Sequence, residues 1–206
     1  MEISFLGANA LALNTKTAKI IVDPAVPGLK VDAAKADIIL LTQPFDISPK
    51  ESQLVINTPG EYEAKTISIK GIASRAHVED DGQQGATIYR IDTPAARVGI
   101  VGHIHPSLSD EQLEALGTLD VLIVPVGGHG YTLDAEGAAQ VVRAIEPRVV
   151  IPTHFADKSI KYEVPQSELK EFTDELGVPL QEEQRYKIKP GSLPEQLTVV
   201  VLSRTS

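Results

Sequence analysis

Five histidines, at positions 77, 103, 105, 129 and 154, and no cysteine make up the chain's whole stock of soft ligands and strong nucleophiles. A disulfide framework, a thiolate metal site, an iron–sulfur cluster and a cysteine nucleophile are therefore excluded, and a metal ion would have to rest on imidazole and carboxylate. Each histidine carries a structural reading beside a chemical one. His103 and His105 stand in Gly-His-Ile-His-Pro directly after an apolar run, where residues i and i+2 of an extended segment point the same way and could chelate one ion. His154, in Pro-Thr-His-Phe, follows a second apolar run at a strand end, the place where α/β sites collect polar groups. His77 lies in a polar, Gly-rich connection over 75–85 and reads either as a solvated loop residue or as a ligand held by a rigid scaffold. His129 sits between glycines and reads as a turn.

The elements that would position these residues are mostly strands. Runs over 3–6, 18–22, 37–41, 53–56 and 66–72 are short and rich in β-branched residues, with Gly or Pro in nearly every gap. Residues 66–70 alternate strictly, predicting a strand with one face buried. Residues 87–91 and 97–101 predict a hairpin around Thr93-Pro94, and 121–126 and 148–151 predict fully buried strands. Helices enter late. Ser109 with Gln112 forms a capping box for a helix that stops at Gly117. Asp134 caps a second, with Ala138, Val141, Val142 and Ile145 on one face before Pro147. A third follows Pro165, carries Leu169, Phe172 and Leu176, and ends at Gly177. Strands over 186–189 and 196–202 close the chain. Many strands with a few interleaved helices imply α/β architecture, two sheets face to face with helices outside, in a single domain over 1–206.

With 42% hydrophobic and 23% charged residues among 206, the chain has the composition of a globular protein. Its net charge of −9, without a basic patch, opposes binding to a phosphate backbone, and 4% aromatic residues with no Trp supply poor base-stacking platforms. Nucleic acid is not an expected partner. Nor is a membrane: the apolar runs over 38–41 and 121–126 fall far short of the ~20 residues needed to span one. The start lacks a basic region before its apolar stretch, which leads to the expectation of a cytoplasmic protein.

Several segments, in order, resemble the metallo-β-lactamase superfamily, in its compact branch of Zn-dependent hydrolases similar to ascorbate-6-phosphate lactonase. They are Ile21-Val22-Asp23-Pro24, Thr58-Pro59-Gly60-Glu61-Tyr62-Glu63, Val124-Pro125-Val126-Gly127-Gly128 with Tyr131-Thr132, and Val150-Ile151-Pro152-Thr153-His154. The resemblance runs from about residue 1 to 157 and implies an αββα sandwich of two mixed sheets, with metals at one edge. It also exposes a deficit. Where the superfamily has His-x-His-x-Asp-His, this chain reads Gln43-Pro44-Phe45-Asp46-Ile47-Ser48. His77 and His154 stand at two remaining ligand positions, and His103 replaces an Asp after Gly102.

The resemblance thus implies at most one zinc ion, held by His77, His103 and His154, with Gln43 or Asp46 orienting its water, and hydrolysis of a small ester, lactone or phosphoester. The competing expectation is a non-catalytic member that has lost its metals, with Phe45 and Ile47 filling the vacated site, and that serves as a ligand-binding or assembly module. Under either, the partner is a small-molecule substrate or ligand, and a homo-oligomer is allowed. Asp23, Glu61 and Tyr62 are expected to hold turns and strand ends outside the site.

Overall fold

A computed structural model describes residues 1–26, 28–189 and 191–205. Its first half is built from strands β1 (Glu2–Gly7), β2 (Ala10–Asn14), β3 (Lys19–Val22), β4 (Ala25–Val26), β5 (Leu29–Lys30), β6 (Ile38–Leu40) and β7 (Leu54–Ile56). Then come β8 (Gly60–Ala64), β9 (Ile67–Ser74), β10 (Ala86–Asp92), β11 (Arg97–Ile100), helix α1 (Asp110–Leu116), β12 (Val121–Pro125), α2 (Ala135–Ile145) and β13 (Val149–Thr153). The chain ends with α3 (Leu169–Leu176), β14 (Leu180–Glu183), β15 (Tyr186–Lys187) and β16 (Thr198–Leu202).

Two mixed sheets face each other. One has six strands in the order β15-β1-β2-β3-β6-β7, the other eight in the order β14-β16-β13-β12-β11-β10-β9-β8, and β4 with β5 form a small separate ribbon. The period-2 alternation of side chains sorts each strand between two layers. Val121, Ile123, Val149 and Ile151 of the larger sheet meet Ile20, Val22, Ile38 and Leu40 of the smaller one in the inter-sheet core. Their neighbours Leu122, Val124 and Val150 point outward, beneath Val141, Val142 and Phe172 of α2 and α3. Tyr89 ties the sheets together, its hydroxyl 2.9 Å from Leu41 O and 3.0 Å from Ile56 O, so that a fully buried phenol keeps its polar atom satisfied. This is the α/β sandwich expected of the sequence.

The helices begin and end where the caps placed them. Ser109 and Gln112 close the capping box of α1, and Asp134 Oδ1 accepts the Gly137 N–H at the start of α2. The described helices all lie on the larger sheet's outer face. On the smaller sheet's outer face, Ala12, Ile21 and Ile39 are covered by loop residues Val31, Ala33, Phe45 and Ile47. The two closing strands do not pair with each other: β15 joins β1, whereas β16 lies between β13 and β14.

Candidate functional site

The parallel register of β11, β12 and β13, and of β3 and β6 opposite, brings the carboxyl ends of both sets of strands to one edge of the sandwich. Gly102 sets the spacing between them. Its φ is +60°, and a Cβ there would overlap the side chain of Thr42, which follows β6. The turns leaving these strands form a cleft of about 110 Å³ whose wall includes Asn9, Asp23, Phe45, His103, Tyr131, His154, Tyr162, Glu163 and Gln166. Three of the lining residues, Ala8, Asp23 and His154, have φ values of 47°, 41° and 53°, a left-handed conformation that costs on the order of 1–3 kcal/mol for a residue with a side chain. Local hydrogen bonding holds them there: the His154 N–H donates to Ala8 O at 2.8 Å, and the Thr42 N–H donates to Asp23 Oδ1 at 2.8 Å.

The floor of the cleft is a closed polar network. Asp23, 2% exposed, accepts from the Thr42 N–H, from the Thr42 hydroxyl at 2.6 Å and from the Asn9 amide, while Thr153 Oγ1 donates to Asn9 Oδ1 at 2.9 Å. Burial pushes the Asp23 carboxyl up to about 6, against the pull of its Thr42 and Asn9 donors. Asp23 was expected to hold a strand end outside the site, and the structure corrects this: it holds the strand end and lines the cleft.

Imidazoles form the opposite wall. His103 meets His154 edge to face, with ring centroids 4.9 Å apart, and Tyr131 packs on both at 5.2 and 5.7 Å. His154 Nδ1 lies 3.0 Å from Gln166 Oε1, and the Gln166 amide nitrogen donates to Val164 O, which fixes the amide's orientation. An amide oxygen only accepts, so His154 carries its proton on Nδ1 and leaves Nε2 as an acceptor. Gly127 makes room for this contact, since a Cβ there would overlap both Gln166 Oε1 and His154 O. His103 is different. It is 4% exposed, and neither Nδ1 nor Nε2 has a hydrogen-bond partner; His77 Nδ1 is also buried and unpartnered. Burial, with the neighbouring imidazoles of His154 and His77, pushes His103 down to about 3, so it is neutral near pH 7. Burial likewise lowers His154, against its bond to Gln166.

The other sequence candidates fall elsewhere. His77 is joined to His103 through the backbone, its N–H donating to His103 O at 2.8 Å, but it does not line the cleft. His105, whose spacing to His103 allowed chelation by the pair, accepts the Ser107 N–H at 3.3 Å. His129 is the exposed turn residue it was read to be, at φ 57°. Gln43 is half-buried outside the cleft, and Asp46 is exposed in a separate surface recess with Ile47, Lys50 and Gln53. Of this segment only Phe45 reaches the cleft, while Asp46, Ile47 and Ser48 line the separate recess. Of the two apolar residues expected to fill the cleft, Phe45 lines it and Ile47 does not. Glu61 and Tyr62 lie on edge strand β8, with Glu61 paired to Lys70.

As placed, these donors do not fit a metal ion. Among the described residues no three His, Asp or Glu side chains converge to hold one. Both oxygens of Asp23 are committed to Thr42 and Asn9, while His154, with Nδ1 held by Gln166, keeps Nε2 as a single free donor atom.

Among the described residues no helix is long and apolar enough to cross a membrane. In sequence, the chain is 24% identical over 208 residues to a UPF0173 metal-dependent hydrolase of Lysinibacillus sphaericus, covering 75% of this chain and 85% of that protein. A match to a UPF0173 metal-dependent hydrolase of Thermoplasma acidophilum is 42% identical but spans 48 residues, 22% of this chain and 21% of that protein. In structure, it resembles a candidate Zn-dependent hydrolase of the metallo-β-lactamase superfamily from Thermotoga maritima, with a TM-score of 0.74 and 23% identity over 98% of this chain and 100% of the other. The β-lactamase superfamily domain model matches residues 2–154, from β1 to the last imidazole of the cleft, and the chain belongs to that family.

Proposed function

We propose that this chain uses the cleft to hold a small molecule without a metal centre, as a ligand-binding member of a hydrolase-like family. The carrying observation is His103, nearly fully buried against the cleft with both ring nitrogens unpartnered. A buried polar atom without a partner costs about 1–3 kcal/mol, and a bound ligand that supplies the partner recovers that cost. A second reading has one observation in its favour. The unpartnered nitrogens of His77 and His103 belong to two of the three residues that the superfamily resemblance assigns to zinc, and named relatives are metal-dependent hydrolases. It requires side-chain rearrangement to bring His77, His103 and His154 onto one ion, and would give hydrolysis of a small ester, lactone or phosphoester. One measurement separates the two. Untagged protein reconstituted with excess zinc and freed of unbound ion is expected to hold well below one equivalent by elemental analysis. One tightly held equivalent that disappears in His154→Ala would overturn the metal-free reading and establish the second.

A further inference from the structure

The wall of the cleft is selective in charge. Two carboxylates line it, Asp23 at the floor and the exposed Glu163 at the rim, and no lysine or arginine stands among the described lining residues. Between them lies an aromatic enclosure: Tyr131 against His103 and His154, Tyr162 with its ring centroid 5.1 Å from that of His154, and Phe45. Aromatic faces present negative potential, and a cation desolvated against them gains up to about 2 kcal/mol. An anion in the same place would meet that potential and two carboxylates with no counter-charge, at a desolvation cost nothing repays. The imidazole pair supplies the directional element: His154, its Nδ1 proton taken by Gln166, leaves Nε2 as an acceptor that can take an N–H from a ligand, and beside it the ring nitrogens of His103 are unpartnered.

From this geometry we infer that the cleft binds a small organic cation, an alkylammonium group seated against Tyr131, Tyr162 and Phe45, with its N–H groups directed to the His154–His103 pair and its charge offset by Asp23 and Glu163. The inference rests on the small-molecule reading above and narrows it, setting aside the phosphoester class. A volume of about 110 Å³ suits a head group of roughly five heavy atoms.

The test uses three ligands of one shape and different charge, tert-butylammonium, tert-butanol and pivalate, titrated into the full-length protein while the His103 and Tyr131 ring resonances are followed by NMR. The ammonium should bind at least ~10-fold more tightly than either of the others, a difference of about 1.4 kcal/mol. Tyr131→Leu and Glu163→Gln, one removing an aromatic face and the other a rim charge, should each reduce that preference several-fold. Equal or tighter binding of tert-butanol or pivalate would overturn the cation assignment while leaving a small-molecule cleft. Absence of any shift with all three would also overturn it. Neither result bears on zinc loading, which decides the underlying reading separately.

Discussion

The two walls of the cleft obey opposite rules. On the floor, Asp23, Asn9, Thr42 and Thr153 share hydrogen bonds that tie the ends of β3, β6 and β13 to the turn after β1. On the imidazole wall, a side chain as deeply buried as Asp23 leaves both its nitrogens unmatched. A buried polar network that is fully satisfied holds a fold in one arrangement, whereas an unsatisfied buried group weakens it unless something else completes it. The floor is thus scaffold, and the wall is where stability is given up for binding.

Removing the scaffold should give the largest effect. Asp23→Ala leaves the Thr42 N–H and hydroxyl and the Asn9 amide without their acceptor, and it should lower unfolding stability by ~3–4 kcal/mol at pH 7. Denaturant titration with an unchanged slope would establish this, and a loss below ~1 kcal/mol would erase the contrast between the walls. Next comes Gly127→Ala, whose methyl group must displace both the Gln166 side chain and the His154 carbonyl, at a cost of ~2 kcal/mol. The same variant should release His154 Nδ1 from its amide partner, visible as a change in the imidazole ¹⁵N shifts. Unchanged shifts would mean that Gln166 does not set the tautomer.

Acid separates the walls by sign. An unfolded histidine takes up a proton near 6.5 but folded His103 only near 3, so between these values the unfolded state holds the extra proton and His103 makes stability rise with pH. Folded Asp23 keeps its proton up to about 6 while the unfolded carboxyl releases it near 3.8, so over that window Asp23 makes stability fall as pH rises. Between pH 4 and 6 the two oppose each other, with His154 acting in the direction of His103. In His103→Leu the slope of stability against pH over this window should therefore drop by one proton, ~1.4 kcal/mol per pH unit, relative to the parent. Parallel slopes in the two proteins would show that His103 titrates normally when folded.

Much of this architecture could be read from local signals. The capping box at Ser109, the Asp134 cap and the stop at Gly177 sit within the residues they order, and the continuous apolar runs over 121–126 and 148–151 announce buried strands. The site was harder because its residues act through partners distant in sequence. Asp23 matters because Asn9 and Thr42 close on it, and its signal, a lone carboxylate ending an apolar strand, equally describes a turn. Gln166 follows the matched region and reaches His154 only because Gly127 lacks a side chain. Asp46, close in number to an expected ligand position, lies in a surface recess apart from the cleft, with its neighbours Ile47 and Ser48 lining the same recess.

The smallest predicted effect is the most diagnostic, because its sign differs from the others. His103→Leu replaces a neutral, buried and unpartnered imidazole by an apolar side chain of similar bulk, next to Tyr131 and His154. No partner is orphaned, since none exists, and the desolvation of two ring nitrogens is relieved. At pH 7 the variant should be more stable than the parent by ~1 kcal/mol, where the equivalent deletion on the floor costs several times as much. It should also weaken the preference of the cleft for tert-butylammonium over tert-butanol, since one of the two imidazoles facing the ammonium is gone. Gain of stability with weaker binding is the signature of a residue kept for its ligand. A stability loss comparable to that of Asp23→Ala would place His103 in the scaffold after all and make the two walls one network.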